Sequence, residues 1–431
     1  MPAVISNKFR VHNAAQFKEA FDEPANTTMY FFLGGVTEYA TPASPPSPGS
    51  ATANIEYYPW RDMFAVKRIQ ASDISHVIPR HDWSSNTVYI QYDDTSTNIT
   101  TDEFYVLTDE YNVYKCLFNN KNAVSINKPT GTDVQSTTTA DGYIWKYMYS
   151  VSTSDALKFL TSSHIPVKYL TSSDGSTQWS VQQAAIDGAI EVIVLSNSGG
   201  SGYGSTPSVV ITGDGTGAAA TATVVGGVIT KVTVTSKGSG YTTATISFSG
   251  GSPSVAATAR AIISPKGGHG SNPVEELGGV FLLLNTRLDA SEGGSFPVVN
   301  NFRKIGLITD PLAYGTSTRA LSSVYRQTYR YNLGGVVGTT FNQDDTITFG
   351  SNTATVVDFD SANNILYTTL PVPKEFPVGA NLIGPSANGT VTVINNPGLR
   401  PYSGDIIYLE NRLAINRAAD QIEDVKLIIE F

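Results

Sequence analysis

Charge is scarce in this chain: Asp, Glu, Lys and Arg make up only 15% of its 431 residues, and no block of basic residues occurs anywhere. A protein that grips phosphate backbones needs clustered Lys and Arg, so with a formal charge of −9 nucleic acid is not an expected partner. One cysteine, Cys116, rules out an internal disulfide. Within the strand-like run 114–118 it reads as a small buried apolar residue, not as a reactive thiol. No stretch approaches eighteen consecutive apolar residues, so no membrane-spanning helix is expected. The opening MPAVISNKFR lacks the apolar region of a signal peptide, and the expectation is a protein made and used without secretion.

Catalytic signatures are missing as well. There is no G-x-S-x-G, no H-E-x-x-H and no G-x-x-x-x-G-K-(S/T). The histidines His12, His76, His81, His164 and His269 are scattered, and the one close pair, His76 and His81, has no Cys or carboxylate at metal spacing. No metal and no cofactor is expected. Gly199 to Gly204, GGSGYG, is followed by Ser205-Thr206-Pro207 and a strand pattern, so it reads as a β-turn, since a phosphate cradle needs a helix opening there. Asp358, Asp360 and Asn363 lack the glycine and closing glutamate of a calcium loop and read as a hairpin end. Asp82 with Trp83, or Asp141 with Trp145, pairs an acid with an aromatic, but a glycosidase needs two carboxylates across a cleft. Aromatics in strands are more often core or interface, and the expectation is that the chain is not an enzyme.

What is abundant is Gly, Thr, Ser and Tyr, with many β-branched residues, the composition of a mainly-β protein with many turns. The chain closes on two short apolar runs, 406–409 and 425–429, that read as buried strands joined by a polar surface connection. Alternation over 425–431 puts Val425, Leu427, Ile429 and Phe431 on one core-facing side. Further strands are expected at 28–33, 104–107, 113–118, 142–151, 279–285 and 302–309. Helices are predicted over 14–21 (Asn13 and Gln16 in capping-box relation), over 60–69, and over 155–160 behind Ser154. Residues 41–52, with four prolines, are an exposed loop.

From about 186 the style changes. Asp187-Gly188, flanked by the segments 182–186 and 189–195, predicts a hairpin. Ser198-Gly199-Gly200-Ser201-Gly202-Tyr203 then returns as Ser236-Lys237-Gly238-Ser239-Gly240-Tyr241, and Ala219-Ala220-Thr221-Ala222 returns as Ala256-Ala257-Thr258-Ala259. Fixed-period similarity of this kind marks stacked β-units that cover one another's apolar faces. The expected organisation is a β-sandwich or barrel framework, with some α+β character and a few short helices, over 1–185, 265–332 and 399–431. It is interrupted by a Gly-rich two-copy repeat at 186–264 and by a small barrel or sandwich at 333–398.

Four ordered blocks carry a resemblance. The C-terminal Ser403-Gly404-Asp405, Ile407-Tyr408, Glu410-Asn411-Arg412, then Ile415, Asp420, Gln421 and Glu423, follows S-G-(D/E)-x-I-Y-x-E-N-R with a later D-Q-x-E. Ile78-Pro79-Arg80-His81-Asp82-Trp83 is similar to I-P-R-x-D-W, and Asp141-Gly142-Tyr143 with Trp145 and Tyr147 to D-G-Y-x-W-x-Y. Phe302-Arg303 with Ile305, Ile308-Thr309 and Asp310-Pro311-Leu312 is similar to F-R-x-I-x-x-I-T-(N/D)-P-L, and Lys8-Phe9-Arg10 echoes an N-terminal K-F-R. Together these resemble the baseplate wedge proteins of T-even-like contractile-tailed bacteriophages, the gene-product-eight family. Neither the glycine repeat nor 333–396 is covered. The resemblance implies a largely β structural subunit of the virion tail baseplate, made in the host bacterial cytoplasm. It also implies homodimerisation, other wedge subunits as partners, and a structural or interface role for the motif residues. The alternative is a host- or glycan-binding tail module that uses the two inserts.

Overall fold

The computed structural model describes residues 4–23, 27–35, 38–97, 99–289, 300–417 and 422–431. The protein is mainly β, with several sheets, a closed barrel and a few short helices. Its residues divide into two units: 1–15, 75–283 and 428–431 form the first, and 16–74 with 284–427 the second.

In the second unit a five-stranded sheet runs in the order Val324–Arg326, Met63–Ile69, Met29–Gly34, Asn300–Thr309, Asp405–Arg417. Met29–Gly34 is buried along its whole length, and Phe32 lies between Val66 and Gly306. The helix expected over 60–69 is instead one helical turn, Tyr58–Asp62, opened by Pro59, and then the strand Met63–Ile69. Met63, Phe64, Ala65 and Val66 are all buried, and a strand covered on both faces reads as a continuous apolar run that periodicity cannot tell from a helix. Of the polar connection expected over 410–412 and 417–424, the part from Glu410 to Arg417 is strand, since Asp405–Arg417 continues through it, and 418–421 lie outside the described residues. Asp405–Arg417 is the last strand of the sheet among the described residues, and Glu410, Asn411 and Arg412 on it are half-buried.

The same unit holds a closed six-stranded barrel over 329–395, ordered Tyr329–Gly338, Ile365–Thr368, Asn352–Asp360, Thr346–Phe349, Asn381–Ile383, Ala387–Asn395. Closure leaves no free edge. Leu333, Ile347, Val356, Leu366, Leu382 and Val391 fill it.

The first unit contains the antiparallel sheet Tyr105–Leu107, Asn112–Phe118, Ile144–Ser150, Thr137–Thr138 and the pair Ile78↔Ile165 in a second sheet. Helix Asn7–Asp22 begins six residues before the expected cap, and Thr153–Phe159 is capped by Ser152, whose Oγ accepts from Asp155 N at 3.1 Å, not by Ser154. The hairpin at Asp187-Gly188 does not form. Residues 177–183 are a helix capped by Ser176, in which Gln178 and Gln182 donate to the carbonyls of Lys168 and Leu170 at 2.7 and 3.0 Å. Those local bonds satisfy the side chains a strand would have left facing a core. At the C-terminus Val425 and Leu427 are buried as expected, whereas Ile429 and Phe431, also expected in the core, are only half-buried, as is Ile428, which packs on Val77, Phe159 and Leu283.

The repeat forms one six-stranded sheet, ordered 228–239, 216–225, 208–213, 244–249, 259–263, 190–195. Each repeated tyrosine organises a small core of its own. Tyr203 packs with Ala222, Ile229 and Ala257, and Tyr241 packs with Ile190, Ile193 and Ile246. Each hydroxyl accepts from an amide of the other copy's alanine segment, Ala257 N at 2.8 Å and Ala218 N at 3.4 Å. The repeat lies in the same unit as 75–185, joined by Val192 and Ile262 on Leu117 and by Arg260, whose two arms reach Asp93 and Asp94 at 2.5 and 2.6 Å.

Candidate functional site

The two N-terminal sequence blocks meet in the first unit. Pro79 ends a strand, and its carbonyl accepts from the Tyr105 hydroxyl at 2.8 Å. Arg80 folds back on Asp82, Nε to Oδ1 at 2.9 Å, and donates from Nη1 to Thr161 O at 2.9 Å. Trp83 Nε1 donates to Ser125 Oγ, which donates in turn to Asp141 Oδ2, each at 3.2 Å. Asp141 Oδ2 also accepts the amides of Ile126 and Asn127 at 2.8 and 2.9 Å. Burial raises the Asp141 carboxyl, but hydrogen bonds from Thr139, Asn127, Ile126 and Tyr143 outweigh it and hold the group below its ordinary value. Gly142 follows at φ +85°, which lets the chain turn into the strand carrying Tyr143 and Trp145. Those two rings are fully buried and stacked, with centroids 5.5 Å apart. Trp145 therefore offers no face to a sugar.

The other two blocks are neighbouring strands of the second unit. Leu307 faces Tyr408, Ile305 faces Glu410 and Lys304 faces Asn411. Tyr408 donates to Glu410 Oε2 at 2.8 Å, Arg412 Nε stands 3.8 Å from Glu410 Oε1, and Asn411 donates to Pro46 O at 2.9 Å. Arg303 is buried, with Nη2 3.8 Å from Asp344 Oδ2. Buried Pro311 follows Asp310, whose Oδ1 accepts from Thr28 N at 2.7 Å. Asp420 and Gln421 lie outside the described residues. The block residues are thus spent on two internal networks, one per unit, and not gathered round a cavity.

His76 and His81 serve separate partners. His76 Nδ1 is 2.9 Å from Gly279 O, and His81 Nδ1 is 3.6 Å from Glu103 and edge-on to Tyr105. Among the described residues no group of three His, Cys, Asp or Glu is placed to hold a metal ion, and no helix is long and apolar enough to cross a membrane. Asp360 Oδ1 accepts Ala362 N and Asn363 N at 3.1 and 3.2 Å, a turn end as expected.

Two features have no sequence signal. The first is a buried charge network. Lys115 Nζ lies 3.0 Å from Glu276 Oε2 and 3.9 Å from the centre of the Tyr92 ring, while Glu276 Oε1 accepts from Gly270 N at 2.8 Å. His269 is buried beside them with Nδ1 unpartnered. Lys115 is a central-strand residue and Glu276 ends the four-residue helix Pro273–Glu276, so only the folded chain brings them together.

The second is a pocket of about 580 Å³ in the second unit, at the rim of the barrel. Its wall holds Glu375, whose Oε1 accepts from Tyr314 and Tyr329 hydroxyls at 2.8 and 2.7 Å. Leu370 and Pro371 add apolar surface, and Lys374, Arg400 and Tyr402 complete the lining. Burial, then the Glu375 carboxylate, raises both phenols, so they stay protonated donors. In a smaller cleft in the first unit, about 360 Å³, two of the three lining lysines are engaged: Lys121 donates to Thr230 O at 3.1 Å and Lys237 pairs with Glu191 at 3.0 Å. No protein-family model matches the chain, and no curated protein matches it.

Proposed function

We propose that the chain is a structural subunit of a phage tail baseplate wedge, acting as a homodimer that joins neighbouring wedge proteins in the virion. The observation that carries this reading is the pairing of the four sequence blocks. The first two share the Trp83–Ser125–Asp141 chain, and the last two share the Leu307–Tyr408 strand register. Residues spent in this way maintain a framework and leave recognition to the surface. Exposed apolar side chains at the start of the first unit, Val4, Ile5 and Phe9, and on the edge strand of the second, Ile407 and Leu413, suit protein contacts. The test is to purify the chain and mix it with the other wedge subunits. A dimer by light scattering that enters the wedge complex supports the reading. A monomer that stays out of the complex overturns it.

A further inference from the structure

Tyr402 holds a backbone conformation that tyrosine seldom takes. Its φ is +61°, directly after Pro401, in the turn from Arg400 to Ser403 that is tied by Ser403 Oγ donating to Arg400 O at 2.6 Å. Proline followed by a left-handed residue is a turn that ordinarily takes glycine in the second place. A bulky ring there is strained and persists where the surroundings hold it. Here they do so loosely. The Tyr402 ring stands 5.7 Å from Tyr57 and 6.5 Å from Trp60 between centroids, and 46% of the residue stays exposed at the mouth of the Glu375 pocket. Burial of the ring does not account for its retention.

The chemistry of the pocket is mixed in a particular way. Glu375 is fixed by two phenols on one oxygen, and its Oε2 accepts no hydrogen bond from the described residues. Lys374 and Arg400 line the same space, and neither is ion-paired among the described residues. A fixed acceptor, free donors and an exposed aromatic face within one cleft match a molecule with an apolar C–H face and a rim of hydroxyls. A polyphosphate would be opposed by the carboxylate, and a purely apolar ligand would leave three charges desolvated. We propose that this cleft is a saccharide-binding site for one or two pyranose rings, with Tyr402 stacking on a ring face and Glu375 and Arg400 taking vicinal hydroxyls. The proposal goes beyond the wedge reading and does not rest on it, since a wedge subunit needs no such site.

The test uses the intact chain and the methyl glycosides of glucose, galactose, N-acetylglucosamine and glucuronic acid, titrated at millimolar concentration by saturation-transfer NMR. At least one should bind saturably. Tyr402→Gly removes the ring and supplies the residue the turn prefers, so the melting temperature should hold or rise while affinity falls at least about tenfold. Glu375→Gln keeps an acceptor for both phenols and should weaken binding to a similar degree, whereas Val337→Ser, an exposed barrel position, should leave it unchanged. Failure of all four glycosides to bind, or binding insensitive to both pocket variants, overturns the proposal. So does a proline-rich peptide that binds more tightly than any glycoside and loses affinity in Tyr402→Gly, because the cleft would then be a peptide site.

Discussion

Lys115 and Glu276 form an ion pair, Nζ to Oε2 at 3.0 Å, with both side chains sealed from solvent. Burial drives the Lys115 ammonium down from its ordinary value, and the Glu276 carboxylate opposes that shift. A buried pair of this kind adds little over an apolar replacement, yet breaking it by half is damaging because one charge stays behind. Lys115→Met should therefore destabilise the first unit by about 3–5 kcal/mol. Lys115→Met with Glu276→Gln should recover most of that loss, since glutamine keeps an acceptor for Gly270 N. Urea melts of the two variants decide between this account and simple packing, under which the double variant would be no better.

Asp141 is the acceptor on which the two N-terminal blocks converge. Asn at this position has one acceptor oxygen where the carboxylate has two, and its amide would face the Ile126 and Asn127 N–H groups or the Thr139 hydroxyl. Asp141→Asn should cost about 2–3 kcal/mol at neutral pH, as expected for hydrogen bonds to a charged group. Ser125→Ala removes the hydroxyl's two bonds, from Trp83 and to Asp141, leaves the Ile126 and Asn127 amide contacts in place, and should cost about 1 kcal/mol. Equal losses for the two would show that the Ser125 hydroxyl's bonds, and not the amide contacts, dominate.

What could be read in advance follows from how local the cause is. The Asn112–Phe118 strand, the barrel over 329–395 and the tyrosine repeat announce themselves through short-range pattern, because each is built from neighbours in sequence. The Met63–Ile69 strand did not, since burial on both faces erases the alternation that separates strand from helix. Strict alternation held at the C-terminus for Val425 and Leu427, which are buried, and failed beyond them. There Ile428, from the other face, meets Val77, Phe159 and Leu283, and Ile428 and Ile429 are both half-buried, so alternation no longer separates the faces. The blocks at 78–83 and 141–147 could be picked out as motifs, but Ser125, which joins them, is an unremarked serine in a loop. The Lys115–Glu276 pair and the Glu375 pocket were invisible for the same reason: their members come from distant segments whose local patterns speak only of strands and turns.

Gly306 sits in the second unit where the strands leave no room for a side chain. A Cβ there would stand 2.3 Å from Tyr408 O and 2.4 Å from the ring of Phe32, which is wholly buried. Neither a backbone carbonyl in a ladder nor a packed ring can give way cheaply, so Gly306→Ala should destabilise by about 3 kcal/mol or more. Gly350→Ala is the comparison. Its φ of +61° makes alanine strained, but nothing lies within 4 Å, and the cost should stay near 1 kcal/mol. Similar losses from the two would mean that the strands shift to admit a Cβ, so that lack of space does not make Gly306 necessary.

His269 gives the first unit a pH dependence whose sign can be worked out. Burial, and after it the positive charges of Lys115, Lys146 and Lys237, hold the imidazole well below its ordinary value. Glu276 Oε2, 4.0 Å from Nδ1, would pull the other way but is already engaged by Lys115. In the folded chain the ring is therefore neutral, while in the unfolded chain it takes up a proton as pH falls through about 6.5. The unfolded state then binds more protons than the folded one, so stability declines with acidification from that point, by up to about 1.4 kcal/mol per pH unit for one proton. His81 and His164, also lowered chiefly by burial, contribute in the same direction. His269→Gln removes one titrating group and leaves those two, so its stability should fall less steeply than that of the parent between about pH 6.5 and 5. Denaturant midpoints at several pH values measure both slopes. Parallel slopes would mean that His269 takes up its proton without unfolding of the first unit.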